Sequence, residues 1–416
     1  MAASPAAAPA VQIRIPAGWT FAALIAGLAL GCALAGTTAG DGAGAIAGPI
    51  GSVWLRALQM TIVPLVAALL VTGIARMVAT ASVGPMARRT LLTFIAVLAA
   101  GTVLAAVAMP ALISVLPIPG GAAAALAVQD GGGQSVPGLG AFLESLVAPN
   151  VIAAAAETAM LPLIVFFAAM AVAITRLHET RRDMLLRLFE ALGDTMLIII
   201  GWVLWLAPVG VFALAIGVGL ASGGGAFTAL AHYILLVTGL GVAVLIAAYV
   251  LGALQHGPVR FARAVLPAQT VAISTQSSLA SLPAMLQSCR SLGVRETTAD
   301  FVLPLAVAIF RATSPAMNLG VAIYVAYLSG VELTPATIAA GAAVALVTTV
   351  GSVSLPGTIS FVTSIGPIAI AMGVPIEPLA ILVAVEMVPD IMRTLGNVTM
   401  DVAVTARIDR ATSTSD

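Results

Sequence analysis

The sequence predicts an all-α polytopic membrane protein with eight transmembrane helices and two re-entrant helical hairpins. Three observations predict it. Hydrophobic residues make up 61% of the 416 residues and charged ones 8%, too few charges to clothe a soluble globule. The 17 cationic side chains are all arginine and gather in alternate connections between apolar segments. Two late apolar stretches are interrupted by Ser, Thr, Gly and Pro, as a hairpin with an unwound tip would be.

Each bilayer crossing needs ~20 apolar residues. Such segments fall near 18–36, 47–74, 90–116, 150–175, 189–220, 227–254, 299–328 and 376–400, with the interrupted ones at 264–288 and 335–373. The first, Trp19 to Ala35, imitates a secretory signal: Arg14 precedes it and Ala33-Leu34-Ala35 resembles a cleavage site. Because apolar spans continue along the chain, the better reading is a retained helix. Arg14, Arg76, Arg88, Arg89, Arg176, Arg181, Arg182 and Arg187 fall on one side, with Arg260, Arg263, Arg290, Arg295, Arg407 and Arg410. The opposite loops, 37–46, 117–149, 221–226 and 329–334, hold Asp41, Asp130, Glu144 and Glu332 and no arginine. This positive-inside bias puts both termini in the cytoplasm. Arg56, early in the second span, is the exception and is expected to snorkel to the outer interface. Eight spans satisfy the bias only if 264–288 and 335–373 each enter and leave by one face.

The chain therefore divides into a tail at 1–12, six helices over 13–255, a binding core over 256–408 and a tail at 409–416. Loop 117–149 reads as an exposed connection and 176–187 as a cytoplasmic linker. A net charge of zero argues against a nucleic-acid partner. Cys32 and Cys289 suggest neither a disulfide framework nor a metal cluster, and His178, His232 and His256 are too dispersed for zinc. No cofactor is expected beyond Na⁺ or H⁺ as a coupling ion.

Polar groups concentrate in the binding core. The interrupted segments hold STQSSLASLP (274–283) and TTVGSVSLPG (348–357). Irregular backbone at membrane depth survives only against protein or an aqueous cavity, and paired broken segments point to a transporter's binding site. In the last span, EMVPDIMRTLGNVTMD (386–401), a turn of about 100° per residue puts Glu386, Asp390, Arg393, Asn397 and Asp401 within an arc of about 80°. An arginine among carboxylates in a membrane marks a functional site by default, a structural ion-pair ladder being the alternative. Arginine's planar fork suits a carboxylate, and Asp390 one turn away suits an ammonium. The guest is then a zwitterion with one further negative group. Arg311 lies in LPLAVAIFRATSPAMNLG (303–320), where Thr313, Ser314 and Pro315 break the seventh span beside it.

At these residues the chain resembles the dicarboxylate/amino acid:cation symporters, the glutamate-transporter family, from about residue 18 to 410. The family's S-S-x-x-T/S-L-P is matched by Ser277, Ser278, Ser281, Leu282 and Pro283, and its P-G by Pro356 and Gly357. D-x-x-R-T-x-x-N-V-x-x-D is matched by Asp390, Arg393, Thr394, Asn397, Val398 and Asp401. The resemblance implies an inverted-repeat, elevator-type homotrimer in the lipid of a bacterial inner membrane, moving acidic amino acids or dicarboxylates. It implies that Arg393 binds the side-chain carboxylate and Asp390 the amino group. Asn397 and Ser314 would bind the main-chain carboxylate, and the tips at 277–278 and 355–359 would add backbone donors. One departure is large: N-M-D-G-T reads Phe310-Arg311-Ala312-Thr313-Ser314. Thr93 keeps a ligand hydroxyl while Phe94 replaces another, leaving a degraded sodium site at Asp401. Proton coupling through Glu386 or Asp401 becomes an option. So does a transporter-fold substrate sensor, or an uncoupled anion-conducting protein. A membrane enzyme using Ser277 or Ser278 is disfavoured, since neither has a neighbouring base in sequence.

Overall fold

The computed structural model describes residues 17–81, 84–120, 122, 144, 147–157, 159–222, 225–351 and 357–413, and every regular element among them is helical. The tail 1–12, most of loop 117–149 and Pro356 lie outside these residues.

Helix α1 (Ala17–Leu34) leads by a short turn into α2 (Thr38–Gln59), then α3 (Ile62–Ala81) and α4 (Pro85–Val115). The loop expected at 37–46 is instead the start of α2. Thr37 caps it, its hydroxyl accepting from the Gly40 N–H at 3.1 Å, and Asp41 stands in the first turn; both suit a helix N-terminus. The expected span 47–74 is accordingly split at Met60–Thr61, with Pro64 in the first turn of α3, where a missing N–H costs nothing. Arg56 consequently lies in the last turn of α2, about 27 Å from its start, not early in a span; it is exposed.

Segment 150–175 forms α5 (Val151–Ala156) and α6 (Met160–Thr175). The expected linker 176–187 is helical from Glu179, as the opening of α7 (Glu179–Trp205), and Pro208 starts α8 (Ala207–Ser222) after a kink. Then come α9 (Gly225–His256) and a helix pair, α10 (Pro258–Thr275) and α11 (Ser278–Leu292), which pack along each other. Their junction is Gln276, left-handed at φ 50°, followed by Ser277, whose hydroxyl caps α11 by accepting from Ala280 N–H at 3.3 Å. This pair reaches further than 264–288, because its arms run on past the apolar stretch. The seventh span is broken as expected, into α12 (Glu296–Ile309) and α13 (Ser314–Leu328). A second pair, α14 (Pro335–Gly351) and α15 (Gly357–Ala371), follows. The last segment is not continuous from 376. A short α16 (Leu379–Leu382) and a 3-10 turn (Val383–Val385) precede α17 (Met387–Ser413). Pro375 and Pro378 keep the chain from entering a helix sooner, and the expected tail at 409–416 begins inside α17.

Two packing features position the site. Helices α1 and α8 approach backbone to backbone: a Cβ on Gly31 would lie 2.4 Å from the Ile216 carbonyl oxygen, and one on Gly219 would lie 2.5 Å from that of Leu28. Small residues permit such contact where lipid supplies no hydrophobic drive. Helix α13 is buried on all sides from Ser314 to Ala326, the mark of a helix at the centre of a bundle. Among the described residues, five helical stretches are long and apolar enough to cross a membrane, and four apolar helices are shorter.

Candidate functional site

Helix α17 carries the expected stripe inward. Glu386, Asp390, Arg393, Asn397 and Asp401 are each no more than 4% exposed, and Thr394 is buried beside them. Glu386 stands just before the helix and begins it, its carbonyl accepting from the Asp390 N–H at 2.8 Å. Arg393 Nη1 donates to Glu386 Oε1 and reaches Asp390 Oδ1 at 3.4 Å. The other side of the guanidinium is vacant: Nε and Nη2 are buried and have no hydrogen-bond partner among the described residues. Those two nitrogens form one edge of the planar fork, the geometry that grips a carboxylate with two parallel bonds. An unmet donor pair in a buried place is expensive unless something visits it.

The helix break brings Thr313, just before α13, against α17 one turn beyond the guanidinium's root. Thr313 donates its N–H to Asn397 Oδ1 at 2.9 Å, and its hydroxyl lies 2.9 Å from that oxygen and 3.0 Å from the Arg393 carbonyl. Asn397's oxygen is thereby engaged, which turns its amide nitrogen into the group left for a guest. The Ser314 hydroxyl, at the start of α13, is buried without a partner among the described residues. Sequence reasoning assigned no contact to Thr313; it fixes Asn397 in one orientation.

Around Asp401 the donors are few. Its two carboxylate oxygens are buried and accept no hydrogen bond among the described residues. Arg311, partly buried in the break, interacts electrostatically with both Asp401 and Asp390. Nearby, the Phe94 and Phe310 rings stack at 4.2 Å with planes 5° apart, both buried. The Thr93 hydroxyl donates back to the Arg89 carbonyl at 2.9 Å. Ser277 and Ser278 sit at the junction of α10 and α11, half-buried, with no hydrogen bond to the stripe among the described contacts. Pro356 lies outside the described residues, and of Gly357 only the backbone, at the start of α15, is described.

Three aromatic or imidazole groups were missed. Tyr233 of α9 donates from its hydroxyl to Glu386 Oε2 at 3.1 Å. Its ring meets Tyr324 of α13 edge-on at 5.5 Å, and the Tyr324 hydroxyl lies 3.2 Å from His232 Nδ1. The available signal was tyrosine within otherwise apolar helices, where a buried hydroxyl must find a partner.

The model of the sodium:dicarboxylate symporter family matches residues 17–411. The chain is similar to the proton/glutamate-aspartate symporter of Escherichia coli (strain K12), 28% identical over 367 residues, covering 84% of this chain and 82% of that protein. The proton/sodium-glutamate symport protein of Bacillus subtilis (strain 168) is 28% identical over 369 residues, with the same coverage. Against human neutral amino acid transporter A it is 28% identical over 258 residues, 58% of this chain and 46% of that protein. The chain belongs to the sodium:dicarboxylate symporter family, and so to membrane transporters rather than enzymes.

Proposed function

We propose that this chain is a secondary active symporter of acidic amino acids, such as aspartate or glutamate, or of related dicarboxylates. The vacant Nε/Nη2 edge of Arg393 carries the reading. It offers two parallel charge-assisted hydrogen bonds to a carboxylate, while Asp390 nearby offers a charge to an ammonium. Ser314 Oγ and the Asn397 amide nitrogen offer donors to a second carboxylate, and the tip at 277–278 and the start of α15 at 357–359 would add backbone donors, residues 355–356 lying outside the described residues. A neutral amino acid would leave the fork unmet, and that asymmetry is what gives discrimination.

The coupling ion is part of the same reading. Sodium wants several oxygen ligands, and here Phe94, Phe310 and Ala312 supply none from their side chains, while the Thr93 hydroxyl already donates to backbone. That donor set does not fit a sodium ion at Asp401. Arg311 instead stands as a resident cation, compensating Asp401 without a bound ion. Coupling then passes to protons, or transport is an uncoupled exchange; a substrate sensor or anion-conducting protein is the second reading, which the same arginine favours. Eight spans with two re-entrant pairs, an elevator motion, a homotrimer and cytoplasmic termini in a bacterial inner membrane complete the proposal. The arginine bias supports the orientation.

Counterflow of radiolabelled aspartate into proteoliposomes, with and without Na⁺ and a pH gradient, tests it. Aspartate should exchange and, under an inward proton gradient, accumulate. Saturable binding without counterflow would leave the sensor reading in its place.

A further inference from the structure

The substrate reading above gives Glu386 no part in holding the guest, yet this carboxylate occupies one nitrogen of Arg393. Its Oε1 accepts from Arg393 Nη1 and its Oε2 accepts from the Tyr233 hydroxyl at 3.1 Å. Asp390 approaches the same guanidinium nitrogen at 3.4 Å. Two carboxylates thus share one nitrogen while the opposite edge has none among the described residues. We infer that Glu386 is the site of the coupling proton, and that protonating it releases Arg393's charge to the substrate carboxylate. This rests on the substrate reading above.

Charge arithmetic carries the inference. Along the stripe Arg393 stands beside Glu386 and Asp390, and the partly buried Arg311 interacts with Asp390 and Asp401, so two guanidiniums serve three carboxylates and leave one net negative charge when all are ionised. An acidic amino acid brings a second, and an uncompensated charge near the bilayer centre is costly. A proton on Glu386 removes it. The proton adds to Oε1, where the ion pair with Arg393 becomes a neutral contact. The guanidinium keeps its positive charge and its counter-ion becomes the guest on Nε and Nη2. On release of the guest, the Glu386 proton leaves and the ion pair re-forms. By linkage, whatever factor the proton adds to substrate affinity the substrate adds to proton affinity.

The neighbours single out Glu386 among the three acids. Asp390 is needed charged, to meet the substrate's ammonium. Asp401 interacts with Arg311 and accepts no hydrogen bond among the described residues. Among the described residues Glu386 is the one of the three with a neutral donor, Tyr233, whose O–H can serve a carboxylate or a carboxyl carbonyl equally. The ionisable groups facing it are Arg393 and Asp390 of α17 and Tyr233 of α9; Tyr324 of α13 and His232 stand behind Tyr233. Helices α1 and α15, which pack against the turn Val383–Val385, and α8, which packs against α16, carry no charged side chain. Tyr233 is a positioning residue in this scheme.

The test is calorimetry of aspartate binding to the purified full-length protein in two buffers of different ionisation enthalpy, which counts protons taken up per aspartate. Uptake of about one proton is expected, with affinity falling as pH rises. Glu386→Gln should bind aspartate with little proton uptake and pH-independent affinity. Tyr233→Phe should keep the uptake but move its midpoint pH, which a merely structural tyrosine would not do. Proton-free binding by the parent protein overturns the inference, as does undiminished uptake in Glu386→Gln. If Glu386→Gln fails to fold, Tyr233→Phe decides, and an unmoved midpoint overturns it. A parent protein that binds no aspartate overturns the substrate reading itself.

Discussion

Arg393 illustrates how one side chain can be both satisfied and waiting. Its Nη1 edge is neutralised by Glu386 and Asp390, while the Nε/Nη2 edge is buried and unmet among the described residues. Lysine would supply a point charge without the fork. Arg393→Lys should therefore weaken aspartate binding by about tenfold or more, the worth of one charge-assisted hydrogen bond of ~1.5–3 kcal/mol; titration of the purified variant reads this directly. Asp390→Ser removes the ammonium's partner, so the ratio of succinate to aspartate affinity should rise, and an unchanged ratio in competition assays would refute the assignment. Arg311→Met leaves Asp401 without its cation and should bind aspartate poorly in sodium and in choline alike. Phe310→Asn, Arg311→Met and Ala312→Asp together should confer some sodium dependence on binding, limited by Phe94, if the arginine stands in the ion's place. The polar stripe was legible in the sequence because helical periodicity alone sets it. The pairing of Phe94 with Phe310 was not, because the two lie far apart along the chain.

At the scale of elements, helix existence was legible and helix ends were not. The start of α2 reads as a loop in sequence because Thr37, Gly40 and Asp41 suit turns as well as caps; only the cap geometry distinguishes them. The start of α7 was taken for a linker because charge was read as solvation, although an exposed helical turn carries charge equally well. Conversely the break at 310–313 followed from Arg311, Thr313, Ser314 and Pro315 and is found there. The α1–α8 contact supplies a test of packing. Gly31→Leu would drive a side chain into the Ile216 and Gly219 backbone, where neither neighbour can yield as a flexible side chain would. The variant should lose ~1–3 kcal/mol of stability and unfold at lower temperature in detergent, whereas the same substitution at Gly18, where nothing lies within 4 Å, should change little.

For the whole molecule, the proposed orientation rests on arginine placement, and it can be checked without any assay of transport. After Cys32 and Cys289 are replaced by Ala, a cysteine at exposed Glu332 should react with an impermeant maleimide in intact cells. One at exposed Thr180 should react only after the membrane is opened. The reverse pattern would invert the proposed topology. What the sequence by itself determined was a polytopic all-α chain, the alternation of its charged connections, and the residue types of the site. Hydropathy and helical periodicity are local properties, and they survive without knowledge of any neighbour. Only the tertiary structure decided which edge of Arg393 is open, that Thr313 holds Asn397, and that Tyr233 reaches Glu386 across 153 residues of sequence. Those are contacts between helices distant along the chain, and nothing in the spacing along one helix encodes which face of another it will meet.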